Sequence, residues 1–107
     1  MKFSVILEPR AHRQLKQTVR WISERSQDGA NRWLDAFDRV LDQLEINPQG
    51  SGLAPENSLV NREIRQTLFK SPRGRTYRVV FTIREPEVHV LAIRGPGHSP
   101  LKRRDLR

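Results

Sequence analysis

The chain has 107 residues, of which 36% are hydrophobic and 30% are charged, so it has room for one small domain. It contains no cysteine, which excludes disulfides, thiolate metal ligands and cysteine nucleophiles, and which fits a reducing cytoplasm. No apolar run is long enough to span a membrane, and the opening MKFSVILEPR lacks the apolar segment of a cleaved secretion signal.

The charge of the chain points to its class of partner. Twenty Lys and Arg residues stand against twelve Asp and Glu residues, which gives a formal net charge of +8, and sixteen of the twenty cations are arginine. Arginine binds phosphate and carboxylate through a planar fork of donors. The excess therefore favours a polyanionic partner, either a nucleic acid or an acidic protein. The alternative is a basic surface that only solvates the protein.

The first part of the chain predicts one strand and two helices. Residues 1–8 alternate apolar and polar side chains with a period of two, which is typical of a strand. Residues 10–26 and 29–46 carry apolar side chains at helical spacing, and the short turn between them predicts an antiparallel helical hairpin. Trp21 lies off the apolar stripe of the first helix, so it is a candidate exposed anchor for a partner.

The second part predicts a loop, three strands and a tail. Residues 47–61 lack periodicity and form the one long loop. Residues 63–70, 75–84 and 87–94 predict strands that short turns join into an antiparallel meander. Residues 95–107 predict a flexible basic tail. Alternation in the last strand places on one face Val88, Val90 and Ala92, and on the other His89, Leu91 and Ile93.

The order of these elements predicts a single α+β domain over residues 1–107, with the arrangement βααβββ. The helical hairpin can cover one face of the sheet, and nothing else in the chain remains to cover the other. We therefore expect a bare sheet face that carries the chemistry or docks a partner.

Most kinds of catalytic centre are not indicated. The three histidines, His12, His89 and His98, lack the spacing of metal ligands, and no glycine-rich phosphate loop or nucleophilic serine motif is present. We expect no metal site and no cofactor. The better candidates are arginines.

Arg65, Arg78 and Arg94 lie in or at the ends of adjacent predicted strands. If they share one face, they can bind a phosphodiester, with His98 as the acid or base of a metal-independent cleavage of RNA. The alternative is that these arginines pair with nearby carboxylates or lie in solvent. The choice depends on strand register, which the sequence does not give.

A series of short segments occurs along nearly the whole chain. In order, they are Pro9-Arg10-Ala11, Trp21-Ile22-Ser23-Glu24-Arg25-Ser26, Ala30-Asn31-Arg32-Trp33-Leu34, Asn47-Pro48, Leu53-Ala54-Pro55-Glu56, Tyr77-Arg78-Val79-Val80-Phe81-Thr82-Ile83 and Val88-His89-Val90-Leu91-Ala92-Ile93-Arg94. This ordered series resembles the RelE/ParE family of bacterial toxins from type II toxin–antitoxin modules of the plasmid-stabilisation type.

The resemblance implies a cytoplasmic toxin of βααβββ fold that arrests growth and forms a hetero-oligomer with a cognate acidic antitoxin. RelE-like members cut mRNA on the ribosome, whereas ParE-like members poison DNA gyrase and are not nucleases. Arg78 matches an arginine that RelE-like nucleases use on phosphate, and Arg94 begins the region of their later catalytic residues. That region departs from the nuclease pattern at Gly95-Pro96-Gly97-His98, and no tyrosine follows Tyr77.

The departure favours gyrase poisoning, with two alternatives: a ribosome-dependent endoribonuclease, or a non-toxic relative that binds nucleic acid. An acidic antitoxin segment that folds on binding would explain the net charge equally well. The candidate antitoxin contacts are Trp21, Arg25, Arg32, Arg65 and Arg78.

Overall fold

A computed structural model describes residues 2–97 and 101–106 of the chain. Its elements are β1 (Ser4–Leu7), α1 (Pro9–Ser23), α2 (Gln27–Ile46), β2 (Arg65–Phe69), β3 (Tyr77–Arg84) and β4 (Glu87–Arg94), with short 3-10 helices at Pro48–Gly50, Pro55–Leu59 and Arg103–Leu106. This order confirms the βααβββ arrangement and the α+β class.

The helical hairpin begins and turns at residues suited to those positions. Pro9 opens α1, where its missing N–H costs nothing because the first turn has no acceptor for it. Ser26 caps α2, since its hydroxyl accepts a hydrogen bond of 2.9 Å from the N–H of Gly29. The two helices lie against each other and reverse the chain within a few residues.

The sheet has the strand order β1-β4-β3-β2. Strands β2, β3 and β4 pair antiparallel, which confirms the meander. Strand β1 lies parallel to β4 at one edge of the sheet. The helical hairpin carries the chain from β1 across the sheet to β2 at the opposite edge.

The hairpin covers one face of the sheet and buries the first core. The indole of Trp33 stacks on Phe37 with 5.6 Å between ring centroids, and it meets the ring of Tyr77 edge-on at 5.4 Å. The buried members of this core are Ala11, Trp33, Ala36, Phe37, Val40, Leu44, Phe69, Val79, Phe81, Val88, Val90 and Ile93. The apolar side chains that helical spacing predicted on one face of each helix therefore pack into this core.

The opposite face is covered as well, which corrects the expectation of a bare sheet surface. The long loop and residues 101–106 close over it and form the second core, whose buried members are Ala54, Ile64, Val80, Leu91, Ala92, Leu101 and Leu106. Leu101 is 3% exposed and Leu106 is 0% exposed. Burying these two leucines offsets the entropy of ordering the segment. Residues 101–106 therefore pack against the domain, which corrects the prediction that they belong to a flexible tail.

Polar contacts fasten this segment to the loop. Arg62 donates a hydrogen bond from its guanidinium to the carbonyl of Leu106, and Arg103 donates one of 2.9 Å to the carbonyl of Leu59. These bonds hold the segment at Arg103 and at Leu106, in addition to the burial of its two leucines.

A bulge in β4 changes which side chains reach each core. Val80 pairs with Ala92 while the next residue, Phe81, pairs with Val90, so Leu91 is an extra residue in β4. The strict alternation predicted for β4 is therefore wrong beyond Leu91: Ala92 enters the second core and Ile93 the first.

Candidate functional site

Arg78 lies in β3 on the face that the loop and the tail cover, and it is joined to a buried carboxylate. Its two terminal nitrogens bond the two carboxylate oxygens of Glu56, one at 2.9 Å. Gln66 accepts a further bond of 3.1 Å from the same guanidinium, and the N–H of Leu101 donates to Glu56 at 3.2 Å. Glu56 is 2% exposed, so this bidentate pair ties the loop, the sheet and the tail together.

The environment keeps Glu56 ionised. Burial alone would raise the pKa of this carboxyl, but hydrogen bonds from Arg78 and from the backbone N–H of Leu101 outweigh it, and the pKa lies below its ordinary value of 4.5. A charged carboxylate therefore occupies the fork of Arg78.

The β4 bulge brings Arg94 directly opposite Arg78 on the neighbouring strand. Burial, followed by the charge of Arg78, lowers the pKa of Arg94, while Asp105 and Glu56 act in the opposite direction. Two of the candidate arginines thus share one sheet face. His98, the candidate acid or base, lies outside the described residues.

Arg65 does not join this pair. It lies opposite Phe81 in the sheet register and so belongs to the other face from Arg78. Its guanidinium donates to the carbonyl of Ser51 at 2.5 Å and to the carboxylate of Glu63 at 2.6 Å. The three arginines of the sequence hypothesis therefore do not converge.

Asp105 holds the end of the tail against the start of α1. Its carboxylate accepts a bond of 2.9 Å from the N–H of Lys102 and lies 3.0 Å from the guanidinium of Arg10. The Lys102 N–H contributes most to lowering the pKa of Asp105, and the charge of Arg10 adds to it, although burial acts against both.

His89 has partners for both of its ring nitrogens. Nδ1 lies 2.7 Å from Glu8 and Nε2 lies 2.9 Å from Glu87, where β1 and β4 meet. Within residues 2–97 and 101–106, no group of three or more His, Cys, Asp or Glu side chains is arranged to hold a metal ion.

The candidate antitoxin contacts form two unlike groups. Trp21 is 54% exposed, as its position off the apolar stripe predicted, and the guanidinium of Arg25 lies 3.9 Å from its ring centroid. Arg32 is exposed at the start of α2. Arg65 and Arg78, by contrast, are mostly buried and bound to carboxylates of the same chain.

Trp21 and Arg32 border a groove of about 670 Å³ between the helical hairpin and the turn that joins β2 to β3. We refer to it as the hairpin groove. Its main lining residues are Trp21, Ile22, Arg32, Arg73, Arg75 and Tyr77. Arg73 and Arg75 lie in the turn before β3 and in the predicted strand that follows it, and neither was predicted to be a site residue. Two arginines only two positions apart, at residues 73 and 75, were the feature of the sequence that could have indicated this basic groove.

Tyr77 forms part of the groove and is half-buried. Burial raises the pKa of its hydroxyl, and the nearby charge of Arg75 lowers it by less. The backbone of Gly95 lies so close to the ring of Tyr77 that a Cβ at Gly95 would stand only 2.9 Å from Cε2 of Tyr77. Glycine at this position therefore lets the chain pass close to the tyrosine as β4 ends.

A family model described as the ParE toxin of type II toxin–antitoxin system, parDE, matches residues 5–96. The chain belongs to the ParE toxin family. No curated protein and no solved structure matches it. The matched span holds both helices and all four strands except the first residue of β1. It ends before the segment 101–106 that closes the second core.

Membership in this family implies an antitoxin partner for the toxin. It agrees with the resemblance that the ordered segments indicated, and with the βααβββ arrangement. In the described part of the toxin, neither helix combines the length and the apolar character needed to cross a bilayer.

Proposed function

We propose that this toxin arrests bacterial growth by poisoning DNA gyrase, and that its antitoxin neutralises it. The observation that carries the proposal is the bidentate ion pair between Arg78 and the buried Glu56. By its resemblance to the family, Arg78 corresponds to an arginine with which RelE-like nucleases bind phosphate. In this chain the guanidinium of Arg78 already binds the carboxylate of Glu56. Glu56 belongs to the long loop, which also contributes Ala54 to the second core.

The requirements of RNA cleavage support the same choice. Cleavage without a metal needs cations that stabilise the phosphorane, together with an acid and a base. Arg65 faces the other side of the sheet from Arg78, and the sequence has no tyrosine after Tyr77. A binding poison needs none of these groups, so the site is better suited to binding than to phosphodiester chemistry.

Induction of the toxin alone in bacteria tests the proposal. We expect growth arrest with an SOS response and gyrase-linked DNA breaks, and we expect purified toxin to increase DNA cleavage by purified gyrase. A gyrase-free topoisomerase reaction is the control. Arrest without gyrase-linked breaks would overturn the proposal, and absence of any arrest would favour the non-toxic relative that binds nucleic acid.

A RelE-like endoribonuclease is the second candidate, because Arg78 and Arg94 lie directly opposite each other on adjacent strands. It requires Glu56 to leave the fork of Arg78. Mapping mRNA ends during arrest then shows in-frame cuts on translated messages. Arg78→Ala abolishes those cuts while it leaves antitoxin binding largely intact, whereas under gyrase poisoning no such cuts occur in the wild-type toxin.

A further inference from the structure

The two helices of the hairpin carry opposite charge. Helix α1 contains three arginines, one lysine and no Asp or Glu, whereas α2 contains five acids and two arginines. The net charge of +8 is therefore spread unevenly along the chain, and α1 has an excess of positive charge. A surface with charge of one sign raises the local concentration of partners of the opposite sign.

Three of the α1 cations lie in one row along the solvent side of the helix. Arg13, Lys16 and Arg20 follow one another at steps of three and four residues, which places them on the same side. All three are exposed, and none of their side chains forms a hydrogen bond or an ion pair with any other residue that the structure describes. We refer to this row as the α1 basic face. The next acid along the chain is Glu24, one helical turn beyond Arg20.

The tail extends the α1 basic face past the start of the helix. Arg104 is exposed, and together with Arg13 it lines a cleft of about 210 Å³. The acids that line the same cleft are bound in the pairs Glu8–His89 and Asp105–Arg10, at 2.7 and 3.0 Å. Both acids are thus engaged, and Arg104 adds a cation to the face.

The side chains of the face suit phosphate better than a peptide or a membrane. From Arg13 to Arg20, every exposed residue is a cation or the amide Gln17, so no apolar side chain is present to anchor a peptide. The apolar side of α1, at Leu15 and Val19, packs against the first core and is not available to enter a bilayer. Contacts to a nucleic-acid backbone, by contrast, need only cations and polar donors.

The length of the row suits a duplex. At about 1.5 Å per residue, the helix rises about 10 Å from Arg13 to Arg20, and each strand of a DNA duplex has one phosphate per about 3.4 Å of its axis. The row can therefore reach about three successive phosphates of one strand. Single strands are bound by successive open aromatic faces, and the row contains no aromatic residue.

We propose that the α1 basic face binds the phosphate backbone of duplex DNA and so holds the toxin on the DNA that gyrase cuts. This inference rests on the proposed poisoning of gyrase, because gyrase acts on duplex DNA. Exposed acids on α2 repel phosphate, so the backbone approaches from the side of α1; these acids are Asp35, Asp38 and Asp42. The contact is to the backbone, so it carries no sequence preference of its own.

Binding of the full-length toxin to a fluorescently labelled DNA duplex, measured by anisotropy at several salt concentrations, tests the proposal. The face variant is Arg13→Gln, Lys16→Gln, Arg20→Gln. A control variant removes the same charges from exposed positions outside α1 and the tail: Arg39→Gln, Lys70→Gln, Arg84→Gln. We expect the face variant to raise Kd about tenfold or more and to lower the slope of log Kd against log salt by about 2 to 3, whereas the control changes Kd by less than about threefold.

The salt dependence of the wild-type toxin tests the proposal without any substitution. Each phosphate contact contributes about 0.9 to the slope of log Kd against log salt, so three contacts are expected to give a slope of about 3. A slope below about 1 would mean that the face does not bind a run of phosphates, and it would overturn the proposal.

Cleavage of DNA by purified gyrase links the face to poisoning. We expect half-maximal cleavage to need about tenfold or more of the face variant compared with the wild type, and less than about threefold more of the control. Equal effects of the two variants on duplex binding would reduce the result to net charge. Tighter binding of an RNA duplex or of single-stranded DNA would assign the face to another nucleic acid. Each of these results, or unchanged gyrase cleavage by the face variant, would overturn the proposal.

Two further results separate this inference from gyrase poisoning itself. A face variant that binds the duplex as the wild type does but no longer stimulates gyrase would mean that the face contacts gyrase rather than DNA, which would overturn the inference and support poisoning. A wild-type toxin that binds the duplex through the α1 basic face but never stimulates cleavage would overturn poisoning and support DNA binding by the face.

Discussion

The two faces of the sheet differ in what covers them and in how that cover is held. On one face, two helices of 15 and 20 residues place large side chains such as Trp33, Phe37 and Leu44 against the strands. On the other face, a loop and a segment of six described residues bury aliphatic but no aromatic side chains around the ion pair of Arg78 with Glu56. Apolar area therefore dominates the first face, and charge contributes a larger share to the second.

The two faces of this small sheet are therefore stabilised in two ways, one mainly by apolar burial and the other by apolar burial together with an ion pair. Burial of aromatic and aliphatic area does not depend on ionisation, whereas a buried ion pair is favourable only while both of its partners remain charged. The first core is thus expected to respond to the volume of its side chains. The second core is expected to respond to the protonation of Glu56 as well.

Truncation in the first core is expected to give the largest effect. Phe37→Ala removes a buried ring that stacks on Trp33, and we expect it to lower the free energy of unfolding by about 4 kcal/mol. Leu68→Ala, at an exposed position on β2, is the control and is expected to change it by less than about 0.5 kcal/mol. Urea denaturation followed by tryptophan fluorescence measures both, and similar losses in the two variants would contradict an aromatic first core.

Removal of the buried carboxylate is expected to have the next largest effect. Glu56→Ala leaves Arg78 without its main partner on a covered face, and we expect a loss of about 3 kcal/mol in the free energy of unfolding. Hydrogen exchange is expected to become fastest in residues 101–106, because Leu101 donates its N–H to Glu56.

Glu63→Ala is the matched control for this second prediction. Glu63 also pairs with an arginine, but it is largely exposed, so its removal is expected to cost less than about 1 kcal/mol. An equal loss from the two substitutions would show that the Arg78 pair does not hold the second face.

The first face could be predicted from the sequence more completely than the second. Helical spacing and strand alternation are local patterns, so they predicted both helices, the meander and the exposed position of Trp21. The second core was not predicted, because the tail supplies only Leu101 and Leu106 to it, and two leucines in a basic segment carry no periodic signal. The pairing of Arg78 with Glu56 joins residues 22 positions apart through the fold, and no local pattern indicates it.

The candidate site shows the same division between local and non-local information. The bulge at Leu91 places Arg94 opposite Arg78, whereas an unbroken register continued from the pair Phe81–Val90 would put Ile93 there. Arg73 and Arg75 reach the hairpin groove because the β2–β3 turn lies beside the helical hairpin. Both facts depend on register and on packing between elements, which one sequence does not contain.

Acidification is expected to give the smallest of these effects and to act on the second face. The pKa values of Glu56 and Asp105 lie below their ordinary values of 4.5 and 3.8 in the folded chain. The unfolded chain therefore binds protons more readily, so the stability that these carboxylates contribute is complete above about pH 4.5 and is lost as pH falls through the lowered pKa values. We expect the urea midpoint to fall between pH 6 and pH 3.

Glu56→Gln isolates the contribution of one carboxylate to this pH dependence. The amide keeps the shape of the side chain but does not titrate, so the midpoint of the variant is expected to change less between pH 6 and pH 3 than that of the wild type. Phe37→Ala is expected to lower the midpoint at every pH and to leave its pH dependence unchanged, because the first core buries no carboxylate. A wild-type slope in Glu56→Gln would mean that the second face is held by apolar burial, as the first is.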